Sequence, residues 1–327
     1  MVNKSSTAYD DVFRTTVNDC PRLILPVCNE LFNSGYTGNE IIVRTENEIF
    51  LHKQDGIEEK RITDTSLVIK RNPEDMGKGY HLECQSTKDG TLIIRMYEYD
   101  SQIALKNGEL DNDTLTVKFP ESAIMYLRSD KRTPESLWMK METPGGIVRY
   151  PIPVMKIKDY TLDMIFEKEL YFILPFYIFA YEKELRKYEK NPWMRVQLQK
   201  EFLDIRNRLQ KCTEEGLIDE YTRCTLLDMS KKVVRSLLGN KYPQTEKGVE
   251  EVMGGNILEY EAKTILNRGR AEGIKEGIKE GRMEGVLSTL SELVQKGLLD
   301  IRDAAEQASM SVEEFEIRAK ELIGVPR

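Results

Sequence analysis

Apolar residues recur at helical spacing from residue 8 to 33, at Val12, Phe13, Val17, Leu23, Ile24, Val27, Leu31 and Phe32. Pro21 divides this stretch into two helices, because proline suits a first helical turn and not an interior. The segment "GYTGNE" breaks the pattern. Runs rich in β-branched and aromatic residues then predict strands at 40–44, 47–52, 61–70 and 79–86. Over 91–107 the helical period returns, with Leu92, Met96, Tyr99 and Ile103 three and four residues apart. "DTLTVKFP" and "SAIMYLRS" read as two further strands, and "VRYPIPVMKI" as a strand or an extended link.

From about Tyr160 the pattern is helical throughout, with helices expected near 162–190, 192–212 and 217–239. Within the first, "LYFILPFYIFAY" (Leu170–Tyr181) is apolar on all sides and reads as a buried helix. It is too short to span a bilayer and is flanked by Glu169 and Glu182, so no membrane partner is expected. The pattern predicts three regions: an α/β core at 1–158, a helical region packed on it at 159–258, and a helical tail at 259–327.

Glycine recurs every fourth residue in the tail, at 269, 273, 277, 281 and 285. Each costs a helix about 1 kcal/mol against alanine, so the repeat needs a compensating gain. A smooth stripe that admits another helix supplies one and predicts a homo-oligomer; a charged, partly helical linker is the other reading. Three short helices with turns at Gly297 and Ser309 follow, in a helix-turn-helix-like pattern. Glu313, Glu314 and Glu316 would repel phosphates from the last of them, which favours a small packing or assembly module.

Composition narrows the function classes. With 40% hydrophobic and 31% charged residues, the chain is globular rather than disordered. A formal net charge of −7 means that a nucleic-acid partner must be met by a local basic patch. Across 183–211, nine Lys and Arg residues face four Asp and Glu, with Tyr188 and Trp193 interleaved, which marks the patch. Five cysteines form no CxxC pair, and their odd number points to reduced thiols in a cytoplasmic protein. Two histidines are too few for a Cys/His zinc site. The start of the chain lacks the apolar core of a signal peptide. No GxGxxG, GxxxxGK[ST] or GxSxG run occurs, which disfavours nucleotide-binding enzymes and serine hydrolases.

The remaining chemistry lies in two strand-like runs, "ITDTSLVI" and "YHLECQS", joined by a polar loop. If they pair antiparallel, Asp64 and Ser66 share one face, as do His81, Glu83 and Gln85, while Leu67, Ile69, Tyr80, Leu82 and Cys84 line the apolar faces. A register with Asp64 opposite Gln85 makes Glu83 its diagonal neighbour, roughly 7–8 Å away at Cα. Two such carboxylates repel unless a cation or a proton lies between them, and Mg²⁺ suits oxygen ligands of this kind. An ordinary solvated sheet face is the alternative.

Asp64 followed by Glu83-Cys84-Gln85 resembles the PD-(D/E)XK nuclease motif. The wider pattern is similar to the recombination-promoting nuclease and putative transposase family of that superfamily. The likeness is carried by "AYDDVFRTTVNDCPRLILPVCNELF", "YHLECQS", "RMYEYDSQIAL", "IPVMKIKDYTLDMIFEKELYFILPFYIFAYEKE" and the glycine-glutamate repeat, and it covers most of the chain. It implies a restriction-endonuclease-like mixed sheet with flanking helices, and a Mg²⁺-dependent DNA endonuclease in which Mn²⁺ can replace Mg²⁺. Asp64 and Glu83 would bind the metal, the Cys84 carbonyl would be a further ligand, and Gln85 would stand where the superfamily has lysine. Glutamine orients water or phosphate but carries no charge, which keeps a second function open: a nuclease-like DNA-binding or assembly module. Thr63 stands in place of the motif's proline. Glu30 is a further candidate from the helix side. Arg95, Tyr99 and Gln102 share a helix face positioned to meet phosphate.

Overall fold

The computed structural model describes residues 8–44, 48–52, 58–62, 65–87, 89–254 and, with breaks, 286–318. The chain forms two compact units, residues 1–262 and 263–327. The first unit is mixed α/β and is built on a six-stranded sheet. Its strands are β1 (Ile41–Arg44), β4 (Thr65–Lys70), β5 (Lys78–Gln85), β8 (Glu121–Tyr126), β9 (Ser136–Thr143) and β10 (Gly146–Lys156), in the order β1-β4-β5-β8-β10-β9. β5, β8 and β10 run parallel, and the pairs β1–β4, β4–β5 and β9–β10 are antiparallel. Two small hairpins stand apart in their pairing, β2 (Glu48–His52) with β3 (Glu58–Ile62) and β6 (Glu109–Asp111) with β7 (Thr114–Thr116).

Side-chain alternation assigns the sheet's two faces to two apolar cores. One face sends Leu67, Ile69, Tyr80, Leu82, Cys84, Ala123 and Met125 into a core shared with α1 (Ala8–Asp19), α2 (Ile24–Phe32) and the later helices α6 (Pro192–Glu214) and α7 (Glu220–Leu238). The other face sends Ile124, Tyr126, Ile152 and Val154 against Leu92 and Met96 of α3 (Leu92–Lys106). The helical part closes with α4 (Leu162–Glu167), α5 (Leu185–Lys190) and α8 (Pro243–Val252). Local chemistry sets several helix starts: Asn191 caps α6 through the backbone N–H of Trp193 and Met194, with Pro192 in the first turn. Asp219 caps α7 through Thr222 N–H.

Several expectations need correction. The expected strand at 61–70 is two elements: β3 ends at Ile62 in one hairpin and β4 begins at Thr65 in the main sheet. Asp64 and Thr63 lie outside the described residues. The expected helix at 162–190 is three elements. α4 ends with Glu169 at φ +56°, Leu170 N–H donating to Ile165 C=O at 2.8 Å and Glu169 N–H to Phe166 C=O at 3.4 Å, a Schellman closure with a glutamate in the left-handed position. The apolar stretch then forms a 3₁₀ helix, Tyr171–Glu184, rather than an α-helix. Pro175 lacks an N–H, and nine consecutive buried residues, Tyr171–Phe179, are packed from all sides, so tertiary contacts override helix type. β9 and α8 were not anticipated. "SLWMKMET" carries a charged Lys140 and Glu142 in an edge strand, and α8 is only ten residues long, with Val249 and Val252 its only aliphatic positions.

Among the described residues, no helix is long and apolar enough to cross a membrane. All five cysteines are buried, and none forms a disulfide. The second unit packs Leu287, Leu290, Ala304, Ala305 and Phe315 into a small core of its own around α9 (Ile301–Gln307). The glycine repeat at 269–285 and the predicted turns at Gly297 and Ser309 lie outside the described residues.

Candidate functional site

The antiparallel ladder between β4 and β5 pairs Thr65 with Leu82 and Ser66 with His81. The expected register would have paired Thr65 with Cys84, so the observed one is shifted by two residues. An even shift leaves every side chain on its expected face, and His81, Glu83 and Gln85 do share one. That face is not solvated. Ser66, His81 and Glu83 are buried, and α3 covers the sheet beside them.

Asp100 explains how the polar groups tolerate this. It lies inside the buried stripe of α3, four residues after Met96 and three before Ile103, and is 0% exposed. His81 Nδ1 and Asp100 Oδ1 are 2.7 Å apart, and Ser122 Oγ from β8 donates to the same oxygen at 2.8 Å. On the other side of the imidazole, Nε2 is 3.3 Å from Glu83 Oε1. Burial alone would pull the His81 pKa down, but hydrogen bonds and charge from Asp100 and Glu83 outweigh it and hold the group at about 9. His81 is therefore an imidazolium at neutral pH, the cation between Asp100 and Glu83. Asp100 Oδ2 and Tyr150 Oη are buried with no hydrogen-bond partner among the described residues, and burial with the nearby Asp100 pushes the tyrosine up to about 12.

The network continues toward the carboxyl end of β5. Gln85 Nε2 donates to Glu83 Oε2 at 3.2 Å, and Arg95 Nη2 donates to Gln85 Oε1 at 3.3 Å. Arg95 also pairs with Asp89 at 3.2 Å. Tyr99 stands edge-on to His81, with ring centroids 5.8 Å apart. The structure thus brings together Glu83, Gln85, Arg95 and Tyr99 of the expected residues. Cys84 points into the opposite core. Glu30 sits apart: its carboxylate accepts from Lys168 Nζ at 2.8 Å and from Tyr160 Oη at 3.1 Å. It also helps to line a cavity of about 550 Å³ on the α2 side.

Glu83 Oε1 faces the imidazolium, and Oε2 accepts from the Gln85 amide. Asp64, the carboxylate expected to act with Glu83, lies outside the described residues. Among the described residues no group of three His, Cys, Asp or Glu side chains is placed to hold a metal ion. Sequence reasoning placed His81 on the right face without giving it a role, and it missed Asp100. The available signal was a carboxylate within the apolar stripe of α3. No protein-family model matches the chain, no curated protein matches it, and no solved structure matches it.

Proposed function

We propose that the chain is a metal-dependent endonuclease that hydrolyses DNA phosphodiester bonds in recombination or in the movement of mobile DNA. The observation that carries this reading is the run from Glu83 to Gln85 to Arg95 at the carboxyl end of β5. It presents a carboxylate, an amide and a guanidinium in succession. In this reading Asp64, Glu83 and the Cys84 carbonyl hold Mg²⁺ or Mn²⁺. The ion, when bound, supplies an activated water and charge for the phosphate. His81, clamped by Asp100, fixes the Glu83 carboxylate from behind. Gln85 orients water or phosphate oxygen. Arg95 brings from α3 the positive charge that Gln85 lacks, answering the departure from lysine at this position.

Supercoiled plasmid incubated with Mg²⁺, Mn²⁺ or EDTA tests the reading. Cutting should require metal and should fall about 100-fold or more in Glu83→Gln and in Asp64→Ala. Equal cutting by the variants would put the site elsewhere. One observation favours a second reading, a nuclease-like DNA-binding or assembly module without strong catalysis: Glu83 is only 3% exposed, and both its oxygens are engaged. A folded protein that binds DNA but does not cut it with either Mg²⁺ or Mn²⁺ would favour that reading.

A further inference from the structure

The surface of 183–200 has an asymmetry that its sequence does not show. Its acidic residues are taken up by neighbours. Glu184 pairs with Lys187 at 3.4 Å, and Glu189 accepts from Thr245 Oγ1 at 2.8 Å and from the backbone N–H of Gln244 and Thr245. Glu201, just beyond, accepts from Tyr181 Oη. The basic residues are left outward. Lys183, Arg186 and Lys190 are exposed and have no carboxylate partner among the described residues. They lie three and four residues apart, near one face of the helical segment through α5.

An aromatic platform follows directly. Trp193 is 70% exposed at the start of α6, and its backbone is fixed by the Asn191 cap and Pro192. Exposed Lys200 lies seven residues on, along the same face of α6. Tyr188, the other aromatic of this stretch, is only partly exposed and stacks edge-on against Tyr181. The stripe is anchored to the sheet: Glu182, next to Lys183, accepts from Arg128 Nε at 2.7 Å. Arg128 Nη1 in turn donates to Ser86 C=O at 3.1 Å, one residue past Gln85.

We infer that the face formed by Lys183, Arg186, Lys190, Trp193 and Lys200 binds single-stranded DNA and leads it to the carboxyl end of β5. The cations match the phosphate backbone, and an exposed indole offers a stacking face to an unpaired base, which a duplex keeps within its own stack. An anionic membrane fits less well, because Leu185, Leu198 and Phe202 of α5 and α6 are buried in the core, and Val196 and Leu203, exposed beside Trp193 on α6, form a narrow strip interrupted by Lys200 rather than a broad apolar face. The inference deepens the endonuclease reading and rests on it for the choice of DNA as the polyanion.

Binding is measured on the full chain in EDTA, by anisotropy, with a labelled oligothymidylate of about 20 nucleotides, a duplex of the same length and phosphatidylserine vesicles. Oligothymidylate should bind more tightly than duplex, and Trp193→Ala should weaken it about 10-fold. Replacing Lys183, Arg186 and Lys190 together with glutamine should flatten the log–log salt dependence by about 2, with the circular dichroism spectrum unchanged. In a Trp138→Phe background, Trp193 is the only tryptophan, and its emission should be quenched by the oligonucleotide. Binding insensitive to both sets of variants, equal affinity for duplex, or preference for vesicles would overturn the inference. Failure of the two readings is separable. Plasmid cleavage with Trp193-independent binding removes the track alone. Trp193-dependent binding without any metal-dependent cleavage removes the endonuclease reading alone.

Discussion

His81 carries a charge in a place where charge is expensive, between a sheet and a helix with 0% exposure. The position is tolerable because Asp100 and Glu83 flank it, and each of the three would be costly alone. Removing the ring in His81→Ala leaves two buried carboxylates facing each other and should destabilise the fold by about 3–5 kcal/mol in urea melts. The pH dependence has a definite sign. The pKa rises on folding from 6.5 to about 9, so the stabilisation is complete below 6.5 and is lost as pH climbs through about 9. That shift corresponds to about 3 kcal/mol. With only two histidines in the chain, NMR should resolve one imidazole that stays protonated through neutral pH and titrates near 9, while urea midpoints fall over the same range. A pair of imidazoles that both titrate near 6.5 would contradict the buried imidazolium. The shared face of His81, Glu83 and Gln85 could be read from strand alternation. The role of His81 could not, because its partner Asp100 is supplied by a helix that only the fold brings over the sheet.

Among the secondary-structure elements, long periodic segments were readable and irregular ones were not. α3, α6 and α7 fall within a few residues of their expected spans because each buries one stripe. The β4–β5 register was off by two, since alternation fixes a strand's face but not its offset. The stretch Tyr171–Glu184 has no polar face, so no period could distinguish α from 3₁₀. The turn before it holds Glu169 at φ +56°, a conformation that costs an L-residue and suits glycine. Glu169→Gly should therefore stabilise the protein by roughly 0.5–1 kcal/mol, the relief of backbone strain exceeding the added unfolded-state entropy. Thermal melts read this directly, and a fall in melting temperature would show that the side chain contributes more than the strain removes.

Over the whole chain, the two cores of the sheet unit lie entirely within 1–262, and the core around Phe315 lies entirely within 263–327. A chain ending at Ala262 should then melt within about 2–4 °C of the corresponding transition of the full chain. A larger loss would mean that the second unit stabilises the first. The net charge of −7 hides a local reversal around α5, where the acids are taken up by Tyr181, Thr245 and Lys187, while Lys183, Arg186 and Lys190 have no carboxylate partner among the described residues. Composition could count these charges but could not say which were already satisfied.

In the proposed site, Glu83 serves a cation through Oε2 while His81 holds Oε1. Calorimetric titration of Mn²⁺ into the full-length protein, with Glu83→Gln alongside, tests that division of labour without depending on turnover. Saturable binding by the wild type, lost in Glu83→Gln while the fold persists, is the expected result. Folded wild-type protein that binds no Mn²⁺, or binding that the substitution leaves unchanged, would contradict it.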